Sequence, residues 1–303
     1  IKFQTFKAEE LLLKTTAKVE YQKEKTDKNE NFYEMIKRYE FTKDEFHILA
    51  DYCNEKGIIF LSTPFDPLSV HWLEELNVPA YKVGSGDMNN FPLLKEICSK
   101  KKPIFISTGM ATLDEVKETI NYIKSNEINE IVLFQCTTNY PTSFDEVNLN
   151  VIDTYKKEFP DLLIGFSDHS LGITVSLGAV AKGVKVIEKH FTLDKEMEGP
   201  DHKASLDPKE LKQWVYEIRH LEMALGDSKK NPMKSELEIA KVARKSIVTI
   251  KDIKAGDTLT EENIAVKRPG VGIPPKEFYE ILGKKVKKHI SKDSILQRED
   301  IYE

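Results

Sequence analysis

Leu163–Ser205 reads LIGFSDHSLGITVSLGAVAKGVKVIEKHFTLDKEMEGPDHKAS. Two short β-type runs each end in a polar cluster with a histidine. Leu163 and Ile164 lead into Ser167, Asp168 and His169; Val184, Val186 and Ile187 lead into Glu188, Lys189 and His190. Ile173–Gly183 between them is one helix's worth of small and apolar residues, closed by glycine. The stretch reads as a strand–helix–strand unit with chemistry at the carboxyl end of both strands. In a parallel sheet those ends lie side by side, on the face where α/β proteins keep their sites.

The same unit repeats outward. Strands are expected at Ile1–Gln4, Ile58–Ser62, Tyr81–Val83, Pro103–Ser107 and Ile131–Cys136, with helical runs between them. Thr42 with Glu45 three residues on predicts a capped helix start, and a long helix is expected over Asp207–Leu225. Residues 8–42 form a polar excursion with one short helix around Phe32–Tyr39, and its charge run at 22–31 reads as solvated loop. Counting the opening fragment gives about seven strands, apolar on both faces, so a parallel sheet covered by helices is expected. Seven is one short of the (β/α)8 TIM barrel. The barrel is the expected fold class, with its first strand and helix preceding Ile1; an open doubly wound sheet is the alternative. The barrel explains better why every strand ends in polar residues.

After Gly226 the pattern changes. Residues 227–243 read as a charged linker and 244–303 as a small β-rich domain, with the barrel over 1–226. The 303 residues carry 40% hydrophobic and 31% charged side chains and a formal charge of −5. That balance suits a globular enzyme-sized chain and argues against a nucleic-acid partner. No apolar run reaches the ~18 residues of a membrane span. Cys53, Cys98 and Cys136 stand far apart inside apolar runs. Buried free thiols and a cytoplasmic location are expected.

The strand-end residues are Lys2 and Gln4; Ser62 and Thr63; Lys82, Ser85 and Gly86; Ser107, Thr108 and Gly109; Thr137, Thr138, Asn139 and Tyr140; Ser167, Asp168 and His169; Glu188 and His190. Hydroxyls, two lysines and glycines that admit backbone approach suit an anion pocket. For any one loop the plainer reading is helix capping and turn formation. A lysine inside an apolar sheet, however, is costly unless it meets an anion. His169 and His190 read either as two metal ligands at neighbouring strand tips or as satisfied core or acid–base histidines. Asp201, in a Pro-Asp turn, reads either as a carboxylate over the pocket mouth or as a plain turn residue. Trp72 and Trp214 fall at helical spacing among aliphatics and read as core.

The motifs KFQTF (2–6), STPFD (62–66), YKVGSGD (81–87), ISTGMAT (106–112), CTTNYPT (136–142), GFSDHS (165–170), EKHFTLD (188–194), GPDHKAS (199–205) and KRPG (267–270), in this order, resemble the sialic acid synthase family, N-acetylneuraminate and legionaminate synthases. The resemblance spans essentially the whole chain. It implies a TIM barrel joined to a C-terminal antifreeze-like (SAF) domain. It also implies a transferase that condenses phosphoenolpyruvate with N-acetylmannosamine to N-acetylneuraminate and phosphate. The alternative acceptor is 2,4-diacetamido-2,4,6-trideoxymannose, giving N,N'-diacetyllegionaminate. The non-enzyme alternative is a carbohydrate-binding or structural protein with an inactive barrel.

Carried over, the resemblance assigns the phosphoenolpyruvate carboxylate to Lys2, Thr63 and Lys82, and its phosphate to Ser85, Ser107 and Ser167. It assigns the sugar to Gln4, Tyr140, Asp201 and Arg268, and a divalent metal to His169 and His190. The metal is expected to be Mn2+, with Mg2+ or Co2+ as alternates. Catalytic roles fall to Lys2, Lys82, His169 and His190. A domain-swapped homodimer is implied, in which Arg268 of one subunit reaches the other's barrel. Two departures stand out: the family's first strand, with its acidic residue and Asn-His motif, is absent from this sequence, and Thr138 stands where some relatives have Asn.

Overall fold

A computed structural model describes residues 1–19, 22–23, 26–27 and 30–302. The chain divides into two compact units, Ile1–Gly226 and Asp227–Glu303.

The first unit alternates strand and helix. Strand β1 (Lys2–Thr5) is followed by α1 (Ala8–Leu11), α2 (Phe32–Arg38) and α3 (Lys43–Glu55). Then come β2 (Leu61–Pro64), α4 (Pro67–Glu75), β3 (Tyr81–Val83), α5 (Phe91–Ser99), β4 (Ile104–Ser107), α6 (Leu113–Ser125) and β5 (Ile131–Cys136). The series closes with α7 (Val151–Glu158), β6 (Leu163–Asp168), α8 (Thr174–Ala181), β7 (Val186–Lys189) and α9 (Pro208–Leu225). All pairings are parallel, β1 with β2 and β3 through β7 in unbroken order, and β2 lies alongside β3. A doubly wound sheet must reverse its strand order at a switch point. No reversal occurs here, so the wound-sheet alternative falls and the (β/α) barrel class stands.

Local chemistry sets the element boundaries. Thr42/Glu45, Thr112/Glu115 and Asp207/Glu210 each form a reciprocal capping box at a helix start. Every residue of β5 is buried, because the sheet is covered by helices on one side and its own inner face on the other. Tyr81, Leu94, Ile106, Ile123 and Leu133 are fully buried in the core between sheet and helices. Strand β2 begins three residues later than the apolar run suggests. Ile58 and Ile59 are 51% and 66% exposed, and the buried residues Ser62 and Thr63 carry the pairing instead.

The excursion is less solvated than its charges suggest. Residues 24, 25, 28 and 29 of the 22–31 run lie outside the described set, yet Gln22 and Thr26 are buried. Lys18 Nζ donates to Thr26 Oγ1 and stands 3.3 Å from Glu30.

In the second unit, residues 227–243 are not linker throughout. Lys234–Ala243 forms helix α10, because Glu236, Leu237, Ala240 and Lys241 suit a helix better than a coil. Only 227–233 remain irregular. Strands β8 (Ser246–Thr249) and β9 (Ile264–Lys267) pair antiparallel, and α11 (Phe278–Ile281) follows. Ile247, Leu259, Val286 and Leu296 form a separate core. No helix among the described residues is long and apolar enough to cross a membrane.

Candidate active site

Side chains alternate along a strand. On β6 and β7 this puts Ser167 and His169, Glu188 and His190 on one face, and Asp168 and Lys189 on the other. The first set looks into a cavity of about 140 Å³ at the carboxyl ends of the strands. Lys2, Gln4, Thr63, Lys82, Ser85, Ser107, Ser167, Tyr140, His169 and His190 all line it. Asp201 lies at its edge, Oδ2 3.5 Å from His190 Nδ1. Arg268 is exposed in the second unit, directly after β9.

The floor is charged. Lys82 is 3% exposed, and its Nζ donates to Ser107 Oγ at 2.6 Å and to Val83 O at 3.2 Å. Glu188 Oε2 stands 3.8 Å from both Lys82 Nζ and Lys2 Nζ. Burial alone would raise the Glu188 carboxyl, but Lys82, Lys2 and His190 hold it down to about 2. It is therefore ionised at neutral pH. Burial pulls the Lys82 ammonium below its ordinary value, and Glu188 opposes that pull. Two cations and one anion leave a net +1 on the partly buried cavity floor, a standing attraction for an anion.

One wall is built from tightly nested loops. Gly109 N–H donates to Ser85 Oγ at 2.9 Å, and Ser85 Oγ stands 3.6 Å from Cys136 Sγ. A Cβ on Gly109 would fall 2.0 Å from Thr138 Oγ1, so only glycine fits. Thr138 Oγ1 is itself buried without a hydrogen-bond partner among the described residues. An orphan hydroxyl beside Ser85 and a backbone N–H suits an anionic oxygen.

The other wall is aromatic. Tyr140 lies with ring centroids 4.1 Å from His169 and 5.4 Å from His190, and the two imidazoles are 5.3 Å apart. His169 Nδ1–H donates to Thr137 O at 2.8 Å, which leaves Nε2 facing Ser167 Oγ at 3.4 Å. Burial disfavours charge on both His169 and Cys136. Their contact at 3.8 Å outweighs it, holding the imidazole above and the thiol below the usual values. His190 is pushed down to about 3 by burial, helped by His169 and Lys2, and is neutral at pH 7. Burial raises the Asp201 carboxyl.

These groups fit a divalent cation. A metal-binding imidazole commonly offers one nitrogen while the other donates to a carbonyl. His169 is held in that way by Thr137 O. No cluster of three His, Cys, Asp or Glu side chains completes such a site among the described residues. Substrate and water oxygens would fill the remaining positions.

Glu188 was visible as a strand-end residue, but its role as counter-ion to both lysines follows only from the register. Cys136 is the buried free thiol expected, and it also lines the cavity. The Asp168–Lys189 pair behind the histidines was not read at all.

The NeuB family model matches residues 1–230 and the SAF domain model residues 244–301. The chain is 42% identical over 305 residues to the N,N'-diacetyllegionaminic acid synthase of Legionella pneumophila, covering 99% of this chain and 85% of that protein. It is 42% identical over 263 residues to the N-acetylneuraminate-9-phosphate synthase of Mus musculus, covering 86% of this chain and 73% of that one. The crystal structure of the N-acetylneuraminic acid synthetase of Leptospira borgpetersenii in complex with citrate superimposes with a TM-score of 0.68 at 33% identity, covering 78% of each chain.

Proposed function

The chain belongs to the NeuB family, and from that premise we propose that it condenses phosphoenolpyruvate with an N-acetylated mannose-type sugar, giving a nine-carbon 2-keto acid and phosphate. The observation that carries this reading is the Lys2–Glu188–Lys82 floor, a net positive and partly buried site beside hydroxyl-rich loops. An enol phosphate with a carboxylate brings two anionic groups that such a site can hold.

In this proposal Lys2, Thr63 and Lys82 take the carboxylate. Ser85, Ser107 and Ser167 take the phosphate, with Lys82 bridging the two subsites through Ser107. Gln4, Tyr140 and Asp201 face the sugar. Carbon 3 of the enol attacks the sugar's aldehyde carbon, positive charge develops at carbon 2, water adds there, and phosphate leaves. The lysines and hydroxyls fix both anionic groups and exclude bulk water, so their contribution is positioning and charge stabilisation. His169 and His190 would hold a divalent cation, proposed as Mn2+, which when bound supplies Lewis-acid polarisation of the aldehyde.

The finer acceptor proposed is N-acetylmannosamine. The 42% identity across nearly the whole chain to a legionaminic acid synthase supports 2,4-diacetamido-2,4,6-trideoxymannose equally. Phosphate release from phosphoenolpyruvate with each sugar, with and without Mn2+, tests the reading. Release with neither sugar overturns it; release with one assigns the acceptor. A shared site, with Arg268 of one subunit serving another subunit's barrel, is proposed on the sequence resemblance. Co-refolding Arg268→Ala with His190→Ala chains tests it: regained activity supports sharing, and a dead mixture refutes it.

A further inference from the structure

Asp168 and Lys189 are opposite partners in the β6–β7 register, one residue before His169 and His190 respectively. Their side chains are 1% and 0% exposed, with Lys189 Nζ 3.0 Å from Asp168 Oδ2. They point away from the cavity, to the layer between sheet and helices that apolar side chains ordinarily fill. Asp168 Oδ1 accepts from Ser170 N–H at 2.9 Å and from Ser170 Oγ at 2.7 Å. Its Oδ2 also accepts from Ser176 Oγ on α8 at 2.5 Å. Lys189 Nζ donates to Ser170 O at 2.7 Å.

An ion pair this deep is a poor device for stability. Apolar residues of the same volume commonly replace such pairs at no cost, so another reason for the charges is called for. The pair's bonds supply one. They converge on Ser170, the residue after His169, and they join the last residue of β6 to the last residue of β7. The backbone from which each imidazole springs is thereby tied to the other.

We propose that Asp168 and Lys189 form a positioning clamp that fixes the mutual placement of the His169 and His190 imidazoles. This rests on the reading of those imidazoles as working groups of the synthase site. The clamp touches no substrate and acts only through the histidines. A displacement of ~1 Å at a reacting centre can cost about 100-fold in rate. The double variant Asp168→Leu/Lys189→Met removes the clamp without leaving a lone buried charge.

The test compares the double variant with wild type by thermal melting, by kcat and KM, and by the 15N signals of the imidazoles in the substrate-free, metal-free protein. The expected result is a retained melting transition, kcat down about 100-fold, KM for phosphoenolpyruvate within about threefold, and shifted or broadened His169 and His190 signals. Unchanged imidazole signals with wild-type kcat overturn the clamp, since a purely structural pair is replaceable by its apolar equivalent. If the double variant does not fold, Ser176→Ala decides. It removes one bond to Asp168 and should cost about tenfold in kcat, as loss of a supporting partner does. Wild-type kinetics and imidazole signals in Ser176→Ala then overturn the proposal. An inactive wild type refutes the synthase reading alone, because the imidazole signals still report the clamp.

Discussion

The two units bury polar side chains to different ends. In the second unit, Ser246 Oγ donates to Pro269 O and accepts from Gly272 N–H. Thr249 Oγ1 donates to Ser291 O and accepts from Ser294 N–H. Glu277 and Asp300 meet Arg298 and Lys288, whose own side chains are largely exposed. Apart from Asp300 Oδ1, which meets Lys288 as an ion pair without a hydrogen bond, these buried polar groups are consumed in fastening loops. In the first unit, Lys82, Glu188 and Thr138 are gathered at one strand-end cavity, and their hydrogen-bonding capacity is only partly used. Burial of polarity alone therefore marks nothing. Buried polarity that stays unsatisfied and converges on a cavity marks the site.

The contrast is broken most forcefully at Lys82. Lys82→Met removes one of two cations around Glu188 and leaves Glu188 paired with Lys2, so no buried charge is orphaned. Activity should fall at least about 1,000-fold, as expected for losing a charge that stabilises the transition state. Thermal stability should stay within about 1 kcal/mol. Phosphate release and differential scanning calorimetry check both halves. A variant that unfolds, or one that keeps its rate, would show that Lys82 fastens structure as Thr249 does.

Gly109→Ala comes next. The new methyl would sit 2.0 Å from Thr138 Oγ1 and 2.8 Å from Ser85 Oγ, so the loops that present both hydroxyls must part. KM for phosphoenolpyruvate should rise on the order of 10- to 100-fold, with kcat moving less, since ground-state anion binding is what the parted loops lose. Steady-state kinetics decides this, and an unchanged KM would detach the Ser85–Thr138 wall from the anion site.

These two residues also show how much the sequence discloses. Lys82 was legible because a lysine cannot sit in an apolar strand end for nothing, and Gly109 because it lies in a βα loop of a repeating unit. Barrel class and helix starts were legible for similar local reasons: repeated short runs apolar on both faces, and Ser/Thr/Asp followed three residues later by Glu. The Asp168–Lys189 pair was not, because a pair across two strands exists only once the register is set. Helix α10 was hidden by its charges, which read as linker. Cys136 is buried and free as expected, but an apolar run does not reveal that its last residue opens on a cavity. His169 and His190 were visible as a pair, but only the resemblance spoke for a metal over a core role.

In the second unit the expected effect is smaller and of another kind. Thr249→Val strands the Ser294 N–H and removes a donor to Ser291 O. It should destabilise that unit by about 1–3 kcal/mol, the range for orphaning a buried polar group. Turnover per folded molecule should not change. Urea unfolding followed alongside kcat tests this, and a fall in kcat without loss of stability would mean the second unit's buried polarity also serves chemistry.

The smallest effect lies in the excursion, at Glu40, where buried polarity again fastens structure. Its side chain is 8% exposed, with Oε1 2.6 Å from Lys7 Nζ and Oε2 3.0 Å from both the Ala8 N–H and Lys37 Nζ. Burial would raise the carboxyl, but Ala8, Lys7 and Lys37 together bring it from 4.5 to about 2. Between those two values the unfolded chain holds a proton on Glu40 that the folded chain does not. Stability from this group is thus fully present above about 4.5 and is lost as the pH falls toward about 2. Glu40→Gln should cost about 1 kcal/mol at pH 7, a charge-assisted contribution reduced by solvent screening. The gap between variant and wild type should close as the pH is lowered through that window. Melting curves at several pH values measure it. A gap that stays constant with pH would mean that the hydrogen bonds alone, and not the charge, hold the excursion to the barrel.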